Sequence, residues 1–136
     1  MKVLLLGATG NLGSRILPAL LAHKHKVIVY VRSEAKLKSL LPATILSKVI
    51  IVTGDATDSV SISDALVQHS CEAFINTAGL AAIFPWQAPA MQGIIKAVIA
   101  AGVDASTKLG RPLRCWLLGG LGVMDHPNAN GIKLST

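Results

Sequence analysis

Val3-Leu4-Leu5-Leu6-Gly7-Ala8-Thr9-Gly10-Asn11-Leu12-Gly13 is the stretch that decides the fold. Four apolar residues in succession leave no polar face, so a strand built from them must be covered on both sides. Gly7, Gly10 and Gly13 follow at intervals of three. At a strand-to-helix junction such glycines serve a tight turn, the approach of backbone to a pyrophosphate, and close packing of helix on strand. A glycine triplet in an arbitrary loop is a weak signal. Its weight here comes from the apolar run before it and the amphipathic segment after it. That segment puts Leu12, Ile16, Leu17, Leu20 and Leu21 on one face at spacings of three and four. Pro18, which removes a helical hydrogen bond, is expected to kink it. The start of this helix offers unpaired N–H groups to phosphates lying in the loop.

The alternation of apolar run and helical segment continues outward. Val27–Val31, Val49–Val52, Ala73–Ile75 and Leu113–Leu118 read as four more strands. Ser33 is placed to cap a short helix carrying Leu37, Leu40 and Leu41, closed by Pro42. Ser61 with Asp64 three residues on approximates a capping arrangement for a helix over Ile62–Val67. A longer helix is predicted over 88–101, with Met91, Ile94, Ile95, Val98 and Ile99 inward and Gly102 ending it. Such repetition gives an α/β class and a doubly wound, Rossmann-type parallel sheet in the order 3-2-1-4-5.

The 136 residues amount to one domain, without repeat, linker or low-complexity segment. With 51% hydrophobic and 15% charged residues and a mean hydropathy of +0.56, the chain is not of the disordered class. So little charge implies apolar surface that expects a partner or a missing segment. The longest uncharged stretch, 73–95, is broken by Asn76, Gly79, Pro85, Gln87, Pro89 and Gln92. No run approaches the roughly 20 apolar residues of a spanning helix, so no membrane partner is expected. Cys71 and Cys115 have neither metal nor redox spacing and read as small core residues, with a cytoplasmic setting as the default. The net charge of +6 comes from singly scattered Lys and Arg. No basic helix, zinc spacing or aromatic platform accompanies them, so no nucleic-acid partner is expected. A positive field also suits a phosphate-rich cofactor.

Candidate site residues gather where strands end. About 20 positions past the glycines, where NAD sites carry an acid for the ribose hydroxyls, this chain has Arg32-Ser33. A guanidinium forks onto a 2′-phosphate and the serine hydroxyl adds a bond, which favours NADP over NAD. Glu34 comes two residues too late for the acidic role. After the third strand, Asp55 in Gly54-Asp55-Ala56-Thr57-Asp58 is a candidate acceptor for an adenine amino group with Asp58 or Ser61 capping the next helix, unless Asp55 or Asp58 is merely a cap. After the fourth, the small residues of Asn76-Thr77-Ala78-Gly79 let a cofactor lie across the switch point. Gly119-Gly120-Leu121-Gly122 is a further permissive rim loop, and Trp86 either borders the nicotinamide or packs a loop. The candidate cofactor set is Gly7, Thr9, Gly10, Asn11, Leu12, Gly13, Arg32, Ser33, Asp55, Ala56, Thr77, Ala78 and Gly79, with no metal ligands.

Gly7-x-x-Gly10-x-x-Gly13, Gly54-Asp55-x-x-Asp58 with Ser63-Asp64-Ala65-Leu66, and Asn76-Thr77-Ala78-Gly79 together resemble atypical or extended short-chain dehydrogenases/reductases, in particular the NmrA-like NAD(P)H-binding group. The resemblance covers almost the whole chain but only the amino-terminal half of that family's usual domain. It implies cofactor roles for Gly7, Gly10, Gly13, Arg32, Asp55 and Ala78, and a sheet cut off after its fifth strand. The family's usual catalytic tyrosine, with a lysine four residues later, follows the fifth strand. The only tyrosine here is Tyr30, in the second strand and followed by Glu34 at that spacing. Asp125, His126, Lys133 and Ser135 are the polar residues left near the end, and no proton donor can be named among them. The expectation is an NADP(H)-preferring, reductase-like binding protein of uncertain catalytic standing. The alternative is a non-catalytic NADP(H) sensor acting through a protein partner. The apolar fifth strand, left as an edge, is expected to drive self-association.

Overall fold

The computed structural model of the chain describes residues 1–78, 88–118, 125–126 and 129–133. In chain order its elements are β1 (Lys2–Leu6), α1 (Gly13–Ala22), β2 (Lys26–Val31), α2 (Glu34–Leu40), α3 (Ala43–Leu46), β3 (Val49–Thr53), α4 (Ser59–Gln68), β4 (Ala73–Asn76), α5 (Ala88–Leu109), β5 (Arg114–Leu117), β6 (Asp125–His126) and β7 (Ala129–Lys133). Strands β1 to β5 form a parallel sheet in the order β3-β2-β1-β4-β5, and β6 pairs antiparallel with β7. This is the doubly wound sheet expected from the sequence. Its switch point lies between β1 and β4.

The central place of β1 follows from its two apolar faces. Leu4 and Leu6 pack with Ile28, Tyr30, Ile62, Leu66, Phe74 and Val98 on the α4–α5 side. Leu5 packs with Leu17, Val27, Val29, Val31 and Leu37 on the α1–α2 side. Leu4, Leu5 and Leu6 are wholly buried, and burial of each such side chain contributes about 1.5–3 kcal/mol. A continuous apolar run implies two covered faces only in the middle of the sheet. At the edges Ile50 of β3 is half exposed and all four residues of β5 are exposed, Trp116 at 69%.

The helices correct the sequence reading in several places. Leu12 precedes α1 instead of packing inward and is exposed, while Ile16, Leu17, Leu20 and Leu21 do pack on the sheet. The helix runs on through Pro18. Ser33 caps α2 as expected, and Pro42 starts the additional short helix α3, where its missing N–H costs nothing. Of the two cap candidates for α4, Asp58 takes the place: its Oδ1 accepts from Ser61 N at 3.1 Å, so the helix opens at Ser59 and not at Ile62. Cys71 is buried as expected, but Cys115, on the edge strand, is exposed.

The largest departure is in α5, which does not end at Gly102 but runs to Leu109 before Gly110, whose φ is +67°. Gly102 is needed for another reason. A Cβ there would stand 2.5 Å from Phe74 Cζ. The inward stripe is Ile94, Ala97, Val98, Ala101 and Ala105, which leaves Ile99, expected inward, at the surface. Small residues thus let α5 lie close to the sheet. Buried Ser63 Oγ donates to Asp104 Oδ2 at 2.5 Å, and Lys108 holds the same carboxylate at 2.8 Å, tying α4 to α5.

The parallel register also gathers charge that looks scattered in sequence. Lys2 pairs with Lys26, and Lys48 immediately precedes Val49, the partner of Val27. These cations stand at strand starts, the edge at which the preceding helices end, and cations favour the negative ends of helix dipoles. No helix among the described residues is long and apolar enough to cross a membrane.

The same substitution at two glycines of α5 should have opposite effects. Among the described residues a Cβ at Gly93 meets only Thr57 Cγ2, at an ordinary 3.9 Å, so Gly93→Ala gains up to about 1 kcal/mol of helix propensity. At Gly102 the overpacking cost of about 1–3 kcal/mol outweighs that gain. Thermal unfolding followed by circular dichroism should give a raised Tm for Gly93→Ala and a lowered one for Gly102→Ala.

Candidate functional site

The carboxyl ends of β1 to β4 surround an open cleft of about 560 Å³, a volume within the usual range for small-molecule sites. The β1–α1 junction contributes Leu6, Gly7, Thr9 and Gly10. The end of β2 and start of α2 contribute Tyr30, Val31, Arg32, Ser33 and Lys36. The β3–α4 loop adds Gly54, Ala56 and Thr57, the end of β4 adds Thr77 and Ala78, and α5 adds Ile94.

The three glycines of the first junction are glycine for different reasons. Gly7 has a φ of +83°, and a Cβ on it would collide with the backbone of Thr77 and Ala78. Gly13 brings α1 so close that its Cβ would run into the carbonyl of Gly7. Gly10 is under neither constraint: among the described residues a Cβ there would meet only Gly7 O, at 3.4 Å. It faces the cleft, with its N–H donating to Gly7 O at 3.0 Å.

The opening of α1 is also unlike that of α2 and α4. Leu12, at the cap position, offers no side-chain acceptor, where Ser33 and Asp58 supply one to the other two. Ser14 N–H donates to Gly10 O at 3.0 Å, while the N–H groups of Asn11, Leu12 and Gly13 find no acceptor among the described residues. The side chains of Asn11 and Leu12 are exposed and outside the cleft wall. What this segment presents is main-chain N–H at the positive end of a helix, a setting for an anion.

On the opposite wall, exposed Arg32 and Lys36 flank Ser33. Ser33 Oγ accepts from Lys36 N at 3.2 Å, which leaves its O–H free to donate. Glu34 is paired with Lys38 at 2.8 Å and is not part of the wall. Lys36 escaped the sequence reading. Its signal is Ser33-x-x-Lys36: a cap places the third helical residue beside its own side chain.

The β3–α4 loop differs from expectation in which side chain faces the cleft. Asp55 Oδ1 accepts from Thr57 N at 2.8 Å and from Thr57 Oγ1 at 2.7 Å. These bonds, and more weakly the Arg32 charge, hold the carboxyl below its ordinary pKa. Asp55 is thus turned onto its own loop, and Ala56 and Thr57 form the wall. Beneath them, Tyr30 is buried, and that burial raises its phenol pKa. Its hydroxyl donates to Asp55 O at 2.9 Å and lies 3.0 Å from Ser61 Oγ, in space left by Gly54.

Hydrogen bonds also set the rim beyond β4. Thr77 Oγ1 donates to Leu6 O at 2.8 Å, and buried Asn76 Oδ1 accepts from Ala78 N at 3.1 Å. Gly79, Trp86 and the loop Gly119–Gly122 lie outside the described residues. Among the described residues no three His, Cys, Asp or Glu come together as a metal site.

A family model described as NAD(P)H-binding matches residues 7–106, well over half of the chain. The chain belongs to this NAD(P)H-binding family. No curated protein matches it by sequence. Among solved structures, this NAD(P)H-binding chain is similar to serine dehydrogenase from Escherichia coli, with 20% identity over 93% of this chain and 65% of that one, at a TM-score of 0.73. It is similar to the Bordetella bronchiseptica enzyme WbmG in complex with NAD and UDP, with 19% identity over 100% of this chain and 43% of that one, at a TM-score of 0.71. It is also similar to ChuY, an anaerobillin reductase from Escherichia coli O157:H7, with 27% identity over 90% of this chain and 52% of that one, at a TM-score of 0.60. The chain spans less than two thirds of the length of each. The resemblance to NmrA-like short-chain dehydrogenases/reductases read from the glycine, Asp55 and Asn76 motifs is borne out.

Because hydrogen bonds to the anion depress the Asp55 pKa, the carboxylate adds stability above its unfolded value of about 3.9. That contribution is lost as pH falls through the lower folded value. A titration of the Thr57 amide proton by NMR should therefore turn over below the ordinary aspartate midpoint, and Thr57→Val should move the Asp55 midpoint upward.

Proposed function

We propose that the cleft binds NADP(H) in preference to NAD(H). The pyrophosphate lies at Gly7, Thr9 and Gly10 and on the N–H groups of Asn11, Leu12 and Gly13. The 2′-phosphate lies between Arg32, Ser33 and Lys36. The adenine rests against the Asp55-Ala56-Thr57 loop, and the nicotinamide half crosses toward Thr77, Ala78 and Gly79. Bound there, the nicotinamide supplies hydride chemistry, and the chain supplies position and field.

Gly10 carries this reading. No torsion and no neighbour among the described residues requires a glycine at that position, yet it borders the cleft beside an uncapped helix start. Room that the protein does not use is room for a ligand. The two cations beside Ser33, with Glu34 withdrawn onto Lys38, support the 2′-phosphate.

The likeness to a reductase supports a reductase-type role. The sensor reading draws on one observation: Tyr30, the only tyrosine, is buried and already bonded to Asp55 O. Consumption of NADPH with a panel of carbonyl substrates separates the two readings.

Calorimetric titration should show NADPH binding about 10- to 150-fold more tightly than NADH, the worth of one charge-assisted bond of about 1.5–3 kcal/mol. Arg32→Glu should erase that difference, and Gly10→Val should abolish binding of both nucleotides with an unchanged α/β circular dichroism spectrum. Equal affinities in the parent chain would overturn the NADP assignment.

The edge strand gives a further expectation, that the described chain self-associates through β5, with Trp116 and Leu118 exposed at 69% and 61%. Light scattering across a concentration series should show mass rising with concentration, and Trp116→Lys should suppress the rise. A concentration-independent monomer would exclude it.

A further inference from the structure

We infer that Tyr30 is a positioning residue of the cleft: its buried hydroxyl holds the β3–α4 loop so that Ala56 and Thr57 form the wall against which the adenosine half of a dinucleotide rests. This rests on the nucleotide reading above and deepens it. Tyr30 starts in the core among Ile62, Leu66 and Ile94, and its ring reaches from there to the floor of the cleft. At its tip the hydroxyl donates to the main-chain oxygen of Asp55, which also receives Asp58 N–H at 3.0 Å. The same hydroxyl lies 3.0 Å from Ser61 Oγ, so the loop is gripped at its start and at the first turn of α4.

The sequence makes room for this grip at one place. Gly54 is the residue on which a Cβ would strike the Tyr30 hydroxyl, although its φ is not one that demands glycine. Above the grip, Asp55 Oδ1 ties back to Thr57 N and Oγ1. The loop is therefore clamped from the core side by Tyr30 and on its outer side by Asp55, and what is left facing the cleft is Ala56 and Thr57. A phenylalanine at position 30 would fill the core equally well and leave the loop held on one side only.

The test uses the full chain and 2′,5′-ADP, which carries the adenosine and 2′-phosphate but no nicotinamide. Tyr30→Phe should weaken 2′,5′-ADP by about three- to tenfold, the worth of one hydrogen bond. It should weaken NADPH by the same factor, because the loss sits in the adenosine half. Amide exchange at Thr57 and Asp58 should quicken, with β1 unchanged. Ser106→Ala is the matched control. It removes a comparable hydrogen bond, from Ser106 Oγ to Arg111 O at 2.8 Å, away from the cleft, and should lower Tm without changing 2′,5′-ADP affinity. A Tyr30→Phe chain that binds 2′,5′-ADP as tightly as the parent overturns the inference alone. So does one that weakens it no more than Ser106→Ala does. A parent chain that binds neither NADPH nor 2′,5′-ADP overturns the nucleotide reading beneath it.

Discussion

Three lengths of backbone meet at the carboxyl end of β1 with nothing between them. Gly7 lies against Thr77 and Ala78, and Gly13 lies against Gly7, at separations that no side chain tolerates. Thr77 closes the contact by donating to Leu6 O. This approach joins β1 to β4 on one side and starts α1 on the other. With α1 starting so close to the strand, the N–H groups of Asn11, Leu12 and Gly13 remain without acceptors among the described residues. The cleft is thus a by-product of packing at the switch point.

The walls are held by a different kind of interaction. On the β2 side, the apolar face that buries Tyr30 also delivers its hydroxyl to the β3–α4 loop. On the α5 side, Gly102 against Phe74 and Ser63 against Asp104 set how near the long helix lies to the sheet, and hence where Ile94 enters the cleft. Polar atoms in these contacts are paired, which is what makes their burial tolerable. The cations at Arg32 and Lys36 stay exposed. Their field is therefore available to a ligand and sensitive to salt.

The sheet order and the glycine junction were legible in the sequence because both rest on short-range rules: apolar runs of strand length, and glycine spacing between a strand and a helix. The ends of elements were less so. Gly102 reads as a helix terminator unless one knows that Phe74 faces it, and that contact spans 28 positions of sequence. Asp58 and Ser61 both read as caps, and only the Tyr30–Ser61 bond shows why the serine is otherwise employed. Arg32 and Ser33 were found because a strand end predicts its own side chains. Lys36 and Thr57 were missed because each enters the cleft through a local turn. Residue type alone puts Cys115 inside and helical spacing puts Ile99 there, yet both are exposed, Cys115 because it stands on the edge strand.

The differing reasons for the glycines at positions 7, 10 and 13 bear on how such a chain would age. Selection for folding alone retains Gly7 and Gly13, since each protects a backbone contact that exists with or without a ligand. Nothing among the described residues defends Gly10. A descendant released from nucleotide binding would keep the outer two glycines and let the middle one drift. Position 10 is therefore the place in related sequences where loss of the ligand would first leave a mark while the fold survived.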